Sequence, residues 1–161
     1  MTIRAAGPAD HAAIQALVAA AFGQPDEAHL VDALRADGDA LLELVAIEDG
    51  AVAGHILFSP LTTDTGRRLA ALAPLSVQPG RQKAGLGTAL MQEGHRRLAA
   101  AGIEAVIVLG HPAYYPRAGY SADLARTVKS PFRGPHFMAL ELVPGSLTAP
   151  LTITYAKAFG L

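Results

Sequence analysis

The residues whose types and spacing point most clearly to chemistry lie at positions 81–88, between an apolar strand and an amphipathic helix. Gly85 and Gly87 allow the backbone to approach an anion closely. The first N–H groups of the helix that follows have no helical acceptor, and the positive end of the helix dipole points at the same place. Arg81 and Lys83 add positive charge nearby. This segment predicts a binding site for a pyrophosphate group.

Two common phosphate-binding loops do not fit the segment. Gly80 and Gly85 have the spacing of a Walker loop, but Leu86 and Gly87 stand where its lysine and its hydroxyl residue belong. The dinucleotide fingerprint lacks its third glycine here, and no early β-α-β unit precedes it. The sequence therefore argues against a nucleotide-phosphate binder, which would take ADP or GDP with magnesium, and against an NAD-binding domain.

A resemblance to a known family narrows the choice. Gln82, Gly85 and Gly87 match the coenzyme A pyrophosphate loop of the GNAT superfamily of N-acetyltransferases, which has Gln or Arg first, then Gly, then Gly or Ala. The segment 115–120, Tyr-Pro-Arg-Ala-Gly-Tyr, resembles the element that follows the fifth strand in this superfamily. Nearly the whole chain is similar to its YhbS-like branch. That likeness lies in residues 21–23, 54–60, 72–75 and 108–117.

The resemblance implies both the fold and the cosubstrate. The fold class is α/β (α+β), a GNAT-like mixed sheet with an antiparallel N-terminal meander, a parallel β-α-β crossover at the cofactor site and helices on both faces. Acetyl-CoA is the expected cosubstrate, and its pantetheine arm is expected to pair with main-chain groups of Leu75, Ser76 and Val77. The N–H of Leu75 would then polarise the thioester carbonyl. Further cofactor contacts are expected from Gln82, Lys83, Ala84, Gly85, Leu86, Gly87, Thr88 and Arg117.

Tyr115 is the expected general acid, because it matches the superfamily's tyrosine and the departing thiolate needs a proton. The base is less clear, since the strand at 72–77 has no carboxylate where many relatives have one. His111, Glu27 and Asp26 remain as candidates. An α-amine has a pKa of about 7.7 to 8.0 and a lysine one of about 10.4, so an enzyme without a strong base would acetylate α-amines more easily.

The hydrophobic pattern predicts the elements around these residues. A strand at 2–5 precedes a helix that begins near Pro8 and Asp10 and is ended by residues 23–25, and a second helix covers 26–35. Asp49 and Gly50 predict a hairpin between strands at 41–47 and 52–58. The later predicted elements are a turn at 62–67, a strand at 72–77, a helix at 85–101, a strand at 105–109, a loop at 129–135, and strands at 137–142 and 151–155.

Composition restricts the domain count, the partners and the chemistry. A chain of 161 residues suits a single domain, 1–161, and a net charge of −1 with a pI near 6.6 argues against nucleic acid and membrane partners. The chain has no cysteine, and its histidines show no metal-binding spacing, so we expect direct acetyl transfer and no metal. His55, inside an apolar strand, is expected to be a satisfied structural histidine. The first ten residues resemble no secretory signal and no apolar run could span a bilayer, so a cytoplasmic location is expected.

Two functions fit these observations. The leading interpretation is an acetyl-CoA-dependent N-acetyltransferase that acts on a primary amine of a small molecule or peptide, as a monomer or a homodimer. The alternative is a catalytically idle acyl-CoA-binding or sensing module, because a fold and a cofactor site do not establish turnover. Tyr115 favours the enzyme, and the missing carboxylate favours the module. The acceptor would be recognised by residues 22–34, 59–64 and 132–136, whose sequences do not indicate a particular acceptor.

Overall fold

The computed structural model describes residues 1–82 and 84–161, and within them the fold has three α-helices and eight strands. The helices are α1 (His11–Phe22), α2 (Asp26–Ala36) and α3 (Leu86–Ala100). The strands are β1 (Thr2–Ala5), β2 (Leu42–Glu48), β3 (Ala51–Thr63), β4 (Leu69–Val77), β5 (Ala105–Leu109), β6 (Val128–Lys129), β7 (Phe137–Glu141) and β8 (Leu151–Thr154). None of the helices in these ranges is long and apolar enough to cross a membrane.

Six of the strands form one sheet in the order β1-β2-β3-β4-β5-β7. Neighbouring strands in this order run antiparallel, except that β4 and β5 are parallel. This pair is parallel because α3 connects the two strands as a crossover. β8 pairs with the far end of β3 and with the short β6. The predicted architecture, an antiparallel meander followed by a parallel crossover, is confirmed.

The sheet is covered by helices on both faces, as predicted. Alternate residues of a strand point to opposite faces, and the core divides accordingly. On one face, Ala70 and Leu72 of β4 pack in the same cluster as Leu90 of α3. On the other face, Leu57 of β3 packs with α1 and α2 through residues such as Ile14. A second cluster on this face includes the alternate β4 residues Leu69 and Ala71.

β4 and β5 are paired over only part of their length. Leu69 to Leu72 pair with Ala105 to Val108. Beyond Leu72, the described residues of β4 pair with β3 but not with β5, and the β3–β4 register shifts between Ile56 and Phe58. The Ala73–Pro74 peptide bond at this place is cis. The two parallel strands therefore separate, and the second half of β4 has one edge open to a gap.

The β2–β3 hairpin confirms its turn, whereas the following turn was placed wrongly. Asp49 and Gly50 have φ of 51° and 74°, the left-handed conformations that the hairpin signal predicts. The turn expected at 62–67 starts later, because β3 runs to Thr63, where it pairs with β8. β4 correspondingly begins at Leu69 rather than 72. β6 was missed, since a two-residue strand depends on its distant partner and has no local signal.

The start of α1 is tied to β1 through a carboxylate. Pro8 to Asp10 form a 3₁₀ turn, and Asp10 accepts hydrogen bonds from the Gly7 N–H at 2.8 Å and from two nitrogens of Arg4 at 2.7 and 2.9 Å. The hydrogen bond from Arg4, with that from Gly7, lowers the pKa of Asp10 to about 2. The predicted helix start is correct, and its acidic residue also fixes the neighbouring strand.

Candidate active site

A cleft of about 1250 Å³ opens at the gap between β4 and β5. On the α3 face it is lined by the end of β4, by the first turn of α3 and by the segment that follows β5. On the opposite face lies a group of mostly aromatic side chains, which we call the aromatic pocket. Its members are Phe22, Glu27, Leu30, Phe132, Tyr155 and Phe159.

The open edge of β4 presents main-chain donors to the gap. The Gln78 N–H donates to the Ala53 carbonyl of β3 at 2.8 Å. Successive N–H groups of a strand point to opposite edges, so the N–H of Ser76 also faces β3. The N–H groups of Leu75 and Val77 consequently face the gap. Both residues line the cleft.

The first turn of α3 supplies a second set of main-chain donors. Gly85, the residue before the helix, has φ of 85°, a conformation that glycine adopts at little cost. The first helical hydrogen bond runs from the Ala89 N–H to the Gly85 carbonyl at 3.0 Å, which leaves the N–H groups of Leu86, Gly87 and Thr88 without a helical acceptor. Within the described part of the chain, no side chain caps this end. The turn is therefore ready to bind an anion.

Gly87 also leaves room for a neighbouring tyrosine. A Cβ at this position would collide with the hydroxyl of Tyr114, whose next nearest atom, Cζ, would be 3.6 Å away. The Tyr114 hydroxyl therefore lies against the first turn of α3. The absence of a side chain at Gly87 gives both the helix N–H groups and this hydroxyl access to one place.

The charges expected around the loop are arranged differently from the prediction. Arg81 lies 3.2 Å from Glu48 and 3.5 Å from Asp49, so its charge is directed to the β2–β3 hairpin. This pairing follows from the attraction of two nearby carboxylates. Gln82 donates from Nε2 to the Val77 carbonyl at 3.3 Å, which closes the loop on the end of β4. Lys83 lies outside the described residues.

Tyr115 is held at the junction of β5, α3 and the gap. It begins a 3₁₀ turn, and its N–H donates to the His111 carbonyl at 3.2 Å. Its ring packs edge-on to Tyr114 and Tyr120, with centroids 5.1 and 5.8 Å apart, and a Cβ at Gly110 would collide with it. Burial, with a smaller effect of Tyr114, raises the pKa of Tyr115 to about 12. The hydroxyl therefore keeps its proton at neutral pH and can donate it.

Tyr120 packs against Tyr115 and is itself held by a hydrogen bond with His95, a contact that the sequence analysis missed. Nε2 of His95 on α3 lies 2.7 Å from the Tyr120 hydroxyl. Burial lowers the pKa of His95 to about 4, so the ring is neutral at physiological pH. Burial also raises the pKa of Tyr120. A neutral hydrogen bond thus fixes the aromatic ring against which Tyr115 packs. A lone histidine on a helix gives no sequence signal of this contact.

The structure separates the three candidate bases. His111 is exposed and lines the cleft directly after β5. Glu27 is half-buried and lines the aromatic pocket. Asp26 is exposed on the first turn of α2 and is not among the described residues that line the cleft. Only His111 and Glu27 are therefore placed to meet an incoming amine. Arg117 also lines the cleft, in the 3₁₀ turn that begins at Tyr115.

A polar triad, in which His55 is buried and Arg35 and Glu43 are partly buried, lies behind the open edge of β4. Glu43 accepts hydrogen bonds from Arg35 at 2.7 and 2.9 Å, and its Oε2 lies 2.7 Å from Nε2 of His55. Burial alone would raise the pKa of Glu43, but the hydrogen bonds of His55 and Arg35 outweigh it and lower the pKa to about 2. Burial lowers the pKa of His55, so this ring is neutral. His55 is the register partner of Ser76, which places the triad next to the cleft.

The expectation that His55 is fully satisfied was wrong. The residue is buried and structural, as predicted. However, Nδ1 has no hydrogen-bond partner among the described residues, and the same holds for the buried hydroxyl of Ser76. The reason is that the ring is oriented by Glu43, which engages Nε2 alone. Along the described chain, no group of three or more acidic, histidine or cysteine side chains is arranged to hold a metal ion.

The acceptor segments predicted from the sequence are partly right in position. Phe22, Glu27, Leu30 and Phe132 fall within the expected ranges and line the cleft. Residues 59–64 do not line it, because residues 59–63 are the end of β3, where they pair with β4 and, at Thr62 and Thr63, with β8. Tyr155 and Phe159, from the end of the chain, were missed.

The fold and the cleft are those of an acetyltransferase, and the chain belongs to the Acetyltransferase (GNAT) family, whose model matches residues 11–120. It is 41% identical over 123 residues to the uncharacterized N-acetyltransferase YhbS of Escherichia coli K12, which covers 74% of this chain and 73% of the relative. The crystal structure of E. coli YhbS in complex with CoA superposes with a TM-score of 0.90 and 32% identity, over 99% of this chain and 92% of that one. A GNAT acetyltransferase of Brucella melitensis in complex with acetyl-CoA gives a TM-score of 0.82 and 35% identity, over 98% and 97%.

Proposed function

We propose that this protein is an acetyl-CoA-dependent N-acetyltransferase that transfers an acetyl group directly to a primary amine of a small molecule or peptide. The observation that carries the proposal is the open edge of β4, which lines one cleft together with the first turn of α3 and Tyr115. Similar proteins crystallised with CoA and with acetyl-CoA support it.

The cofactor is proposed to bind mainly through main-chain groups. Its diphosphate would accept hydrogen bonds from the N–H groups of Leu86, Gly87 and Thr88, where the helix dipole is favourable. The pantetheine arm would extend β4, using the N–H groups of Leu75 and Val77. The loop residues Gln82, Lys83, Ala84 and Gly85, with Arg117, complete the proposed set.

The proposed chemistry is a single acetyl transfer without a covalent enzyme intermediate. The neutral amine nitrogen attacks the thioester carbon, and the N–H of Leu75 stabilises the negative charge that develops on the carbonyl oxygen. The carbon–sulfur bond then breaks, and the thiolate takes the proton of Tyr115. The new amide nitrogen loses its extra proton to solvent or to a base. The tyrosinate recovers a proton from water and the enzyme is restored.

The proton that the amine loses sets a limit on the acceptors. His111 and Glu27 are the candidate bases in the cleft, and β4 contributes no carboxylate to it. Amines with a pKa near 8 have a much larger neutral fraction at physiological pH than lysine side chains do. We therefore propose a preference for such amines, and a clear preference for lysine side chains would contradict it.

The test is release of free CoA from acetyl-CoA in the presence of a panel of primary amines. Thiol release that depends on the amine, with a stoichiometric amide product, supports the enzyme. Acetyl-CoA binding without release in the presence of any amine would instead support an idle acyl-CoA-binding module. Binding of ADP or GDP with magnesium, and not of CoA, would contradict both.

A further inference from the structure

The aromatic pocket carries one negative charge and no positive one. Glu27 is the sole carboxylate among the described residues that line the cleft, and the pocket contains no lysine or arginine. Its oxygens accept hydrogen bonds from Nε2 of Gln24 at 3.0 and 3.2 Å, a neutral donor that orients the carboxylate without cancelling its charge. A half-buried charge of this kind attracts an ammonium group and repels a carboxylate.

The walls of the pocket are apolar and stiff. Phe132 packs edge-on to Tyr155 with ring centroids 5.6 Å apart, and Tyr155 packs on Phe159 at 5.3 Å. This row is anchored in the core, since its members pack against the two clusters that cover this face of the sheet. Phe22 is also in the cleft lining and is 43% exposed, so part of its ring is accessible to a ligand. These rings offer contact area to an apolar group.

Polar partners for a sugar or a peptide backbone are scarce in the same pocket. Of the six members, only Glu27 and the Tyr155 hydroxyl are polar. A ligand with many hydroxyls would lose its hydrogen bonds to water here and regain few of them.

The pocket also has a defined position relative to the cofactor half. Tyr114, Tyr115 and the first turn of α3 lie on the α3 face, whereas the aromatic row lies on the face of α1 and α2. Ala71 and Ile107, which face the same side as the row, line the cleft between them. A group in the pocket would therefore reach the gap from the side opposite to the diphosphate.

We infer that the acceptor is a primary amine on an uncharged apolar, preferably aromatic, body, and that Glu27 binds its ammonium group before transfer. This inference rests on the proposed function, since it names the substrate class of the same site. Amines that carry a carboxylate beside the nitrogen, and amino sugars, are excluded by the same charges and walls.

The inference is tested by comparing phenethylamine, phenylalanine, phenylalanine amide and glucosamine as acceptors. Phenethylamine and phenylalanine differ by one carboxylate, and the amide restores neutrality at that position. We expect KM for phenethylamine and for the amide to be at least about tenfold lower than for phenylalanine, because Glu27 repels the added carboxylate. The amide should have the higher kcat of the two, since its α-amine has a larger neutral fraction at neutral pH than phenethylamine, an aliphatic amine like that of lysine. Glucosamine should not saturate. A preference for phenylalanine or glucosamine would overturn the inference.

Glu27→Gln tests the role of the carboxylate. This inference assigns Glu27 to binding of the ammonium group and leaves His111 as the candidate base. KM for phenethylamine should therefore rise roughly 10- to 100-fold with kcat little changed, because uniform binding is lost, and discrimination against phenylalanine should shrink. Asp32→Asn, an exposed change on the same helix and outside the cleft lining, is the matched control and should leave both constants unchanged. An unchanged KM in Glu27→Gln would contradict the assignment.

A binding measurement separates this inference from the proposed function. Calorimetric titration of the CoA-loaded protein with each amine reports the pocket without requiring turnover. If no amine releases thiol but phenethylamine binds and glucosamine does not, the transferase proposal fails and the pocket assignment stands. If thiol is released with other amines while phenethylamine does not bind, the assignment fails and the transferase proposal stands.

Discussion

The two halves of the cleft use different kinds of groups. On the α3 face the binding groups are main-chain N–H donors, on the edge of β4 and in the first turn of α3. On the opposite face they are side chains from α1, α2, the loop before β7 and the end of the chain. Main-chain donors are the same whatever the sequence, so they suit a ligand that never changes. Side chains determine selectivity among acceptors. A substitution in one half of the cleft should therefore change the affinity for acetyl-CoA or for the amine, but not for both.

The largest expected effect is at Tyr115, where the two halves meet. Tyr115→Phe should lower kcat by roughly 10² to 10⁴, because the departing thiolate loses its proton donor. The Kd of acetyl-CoA should change little, since the ring and its packing remain. Steady-state kinetics and calorimetry measure the two quantities. Tyr114→Phe is the matched control and should retain kcat; normal turnover in Tyr115→Phe would remove Tyr115 from its role.

The second effect concerns the triad of Arg35, Glu43 and His55, which lies next to the cleft through the pairing of His55 with Ser76. Glu43→Gln should destabilise the protein by about 3 kcal/mol at pH 7, because Arg35 then lacks its buried partner. Denaturant unfolding measures this. Asp32→Asn removes an exposed partner of the same arginine, 48% exposed and 3.2 Å away, and should cost less than about 1 kcal/mol. Equal losses of unfolding free energy in the two variants would show that the triad stabilises the protein no more than the exposed Asp32–Arg35 pair does.

The same triad predicts the response to acid. The pKa of Glu43 is lowered to about 2 in the folded protein, below its value of about 4.3 in an unfolded chain. Its contribution to stability is therefore complete above about pH 4.3 and is lost as the pH falls toward 2. The difference in unfolding free energy between wild type and Glu43→Gln should shrink over this range. A difference that grows on acidification would contradict the sign.

A smaller effect is expected on the cofactor half alone. Gly87→Ala should weaken acetyl-CoA binding by about tenfold, because the new methyl group pushes the Tyr114 hydroxyl into the space of the diphosphate. The double variant Gly87→Ala/Tyr114→Phe should recover most of the affinity, since the next nearest atom of that ring, Cζ, is 3.6 Å from the added Cβ. Calorimetry of the variants measures this coupling. Additive losses without recovery would contradict the proposed contact.

The smallest expected effect is on the acceptor half alone. Phe22→Ala should raise KM for phenethylamine by about fivefold, because a partly exposed ring contributes only part of its full burial energy. The Kd of acetyl-CoA should stay the same. If the Kd of acetyl-CoA changed more than the KM of the amine, the division into two halves would be wrong.

The turn before α3 was predictable because its determinants are local. Gly85 and Gly87 lie between a strand and a helix, so the turn and the first helical N–H groups follow from consecutive residues. The same holds for the Asp49-Gly50 hairpin. What local reasoning could not place was Arg81, whose partners Glu48 and Asp49 belong to a different turn.

The other half depended on contacts between distant segments. Tyr155 and Phe159 enter the cleft because the chain after β8 folds back onto the cores behind α2. No sequence pattern around these residues indicates that the chain folds back onto the sheet. Residues 59–64 were assigned to the acceptor side, but β3 extends to Thr63 and pairs there with β4 and β8, and none of these residues lines the cleft. His95 and Tyr120 illustrate the same limit, since only the packing of α3 brings them together.

The measurement that tests the central claim most directly is calorimetric titration of the wild type and of Gly85→Glu with acetyl-CoA. The claim is that main-chain amides at the start of α3 hold the cofactor's diphosphate. It predicts saturable heat for the wild type and a loss of at least about 100-fold in affinity for Gly85→Glu, because a side chain is strained at φ of 85° and its charge repels the diphosphate. No heat with the wild type, or equal affinity in the variant that remains folded by circular dichroism, would contradict it.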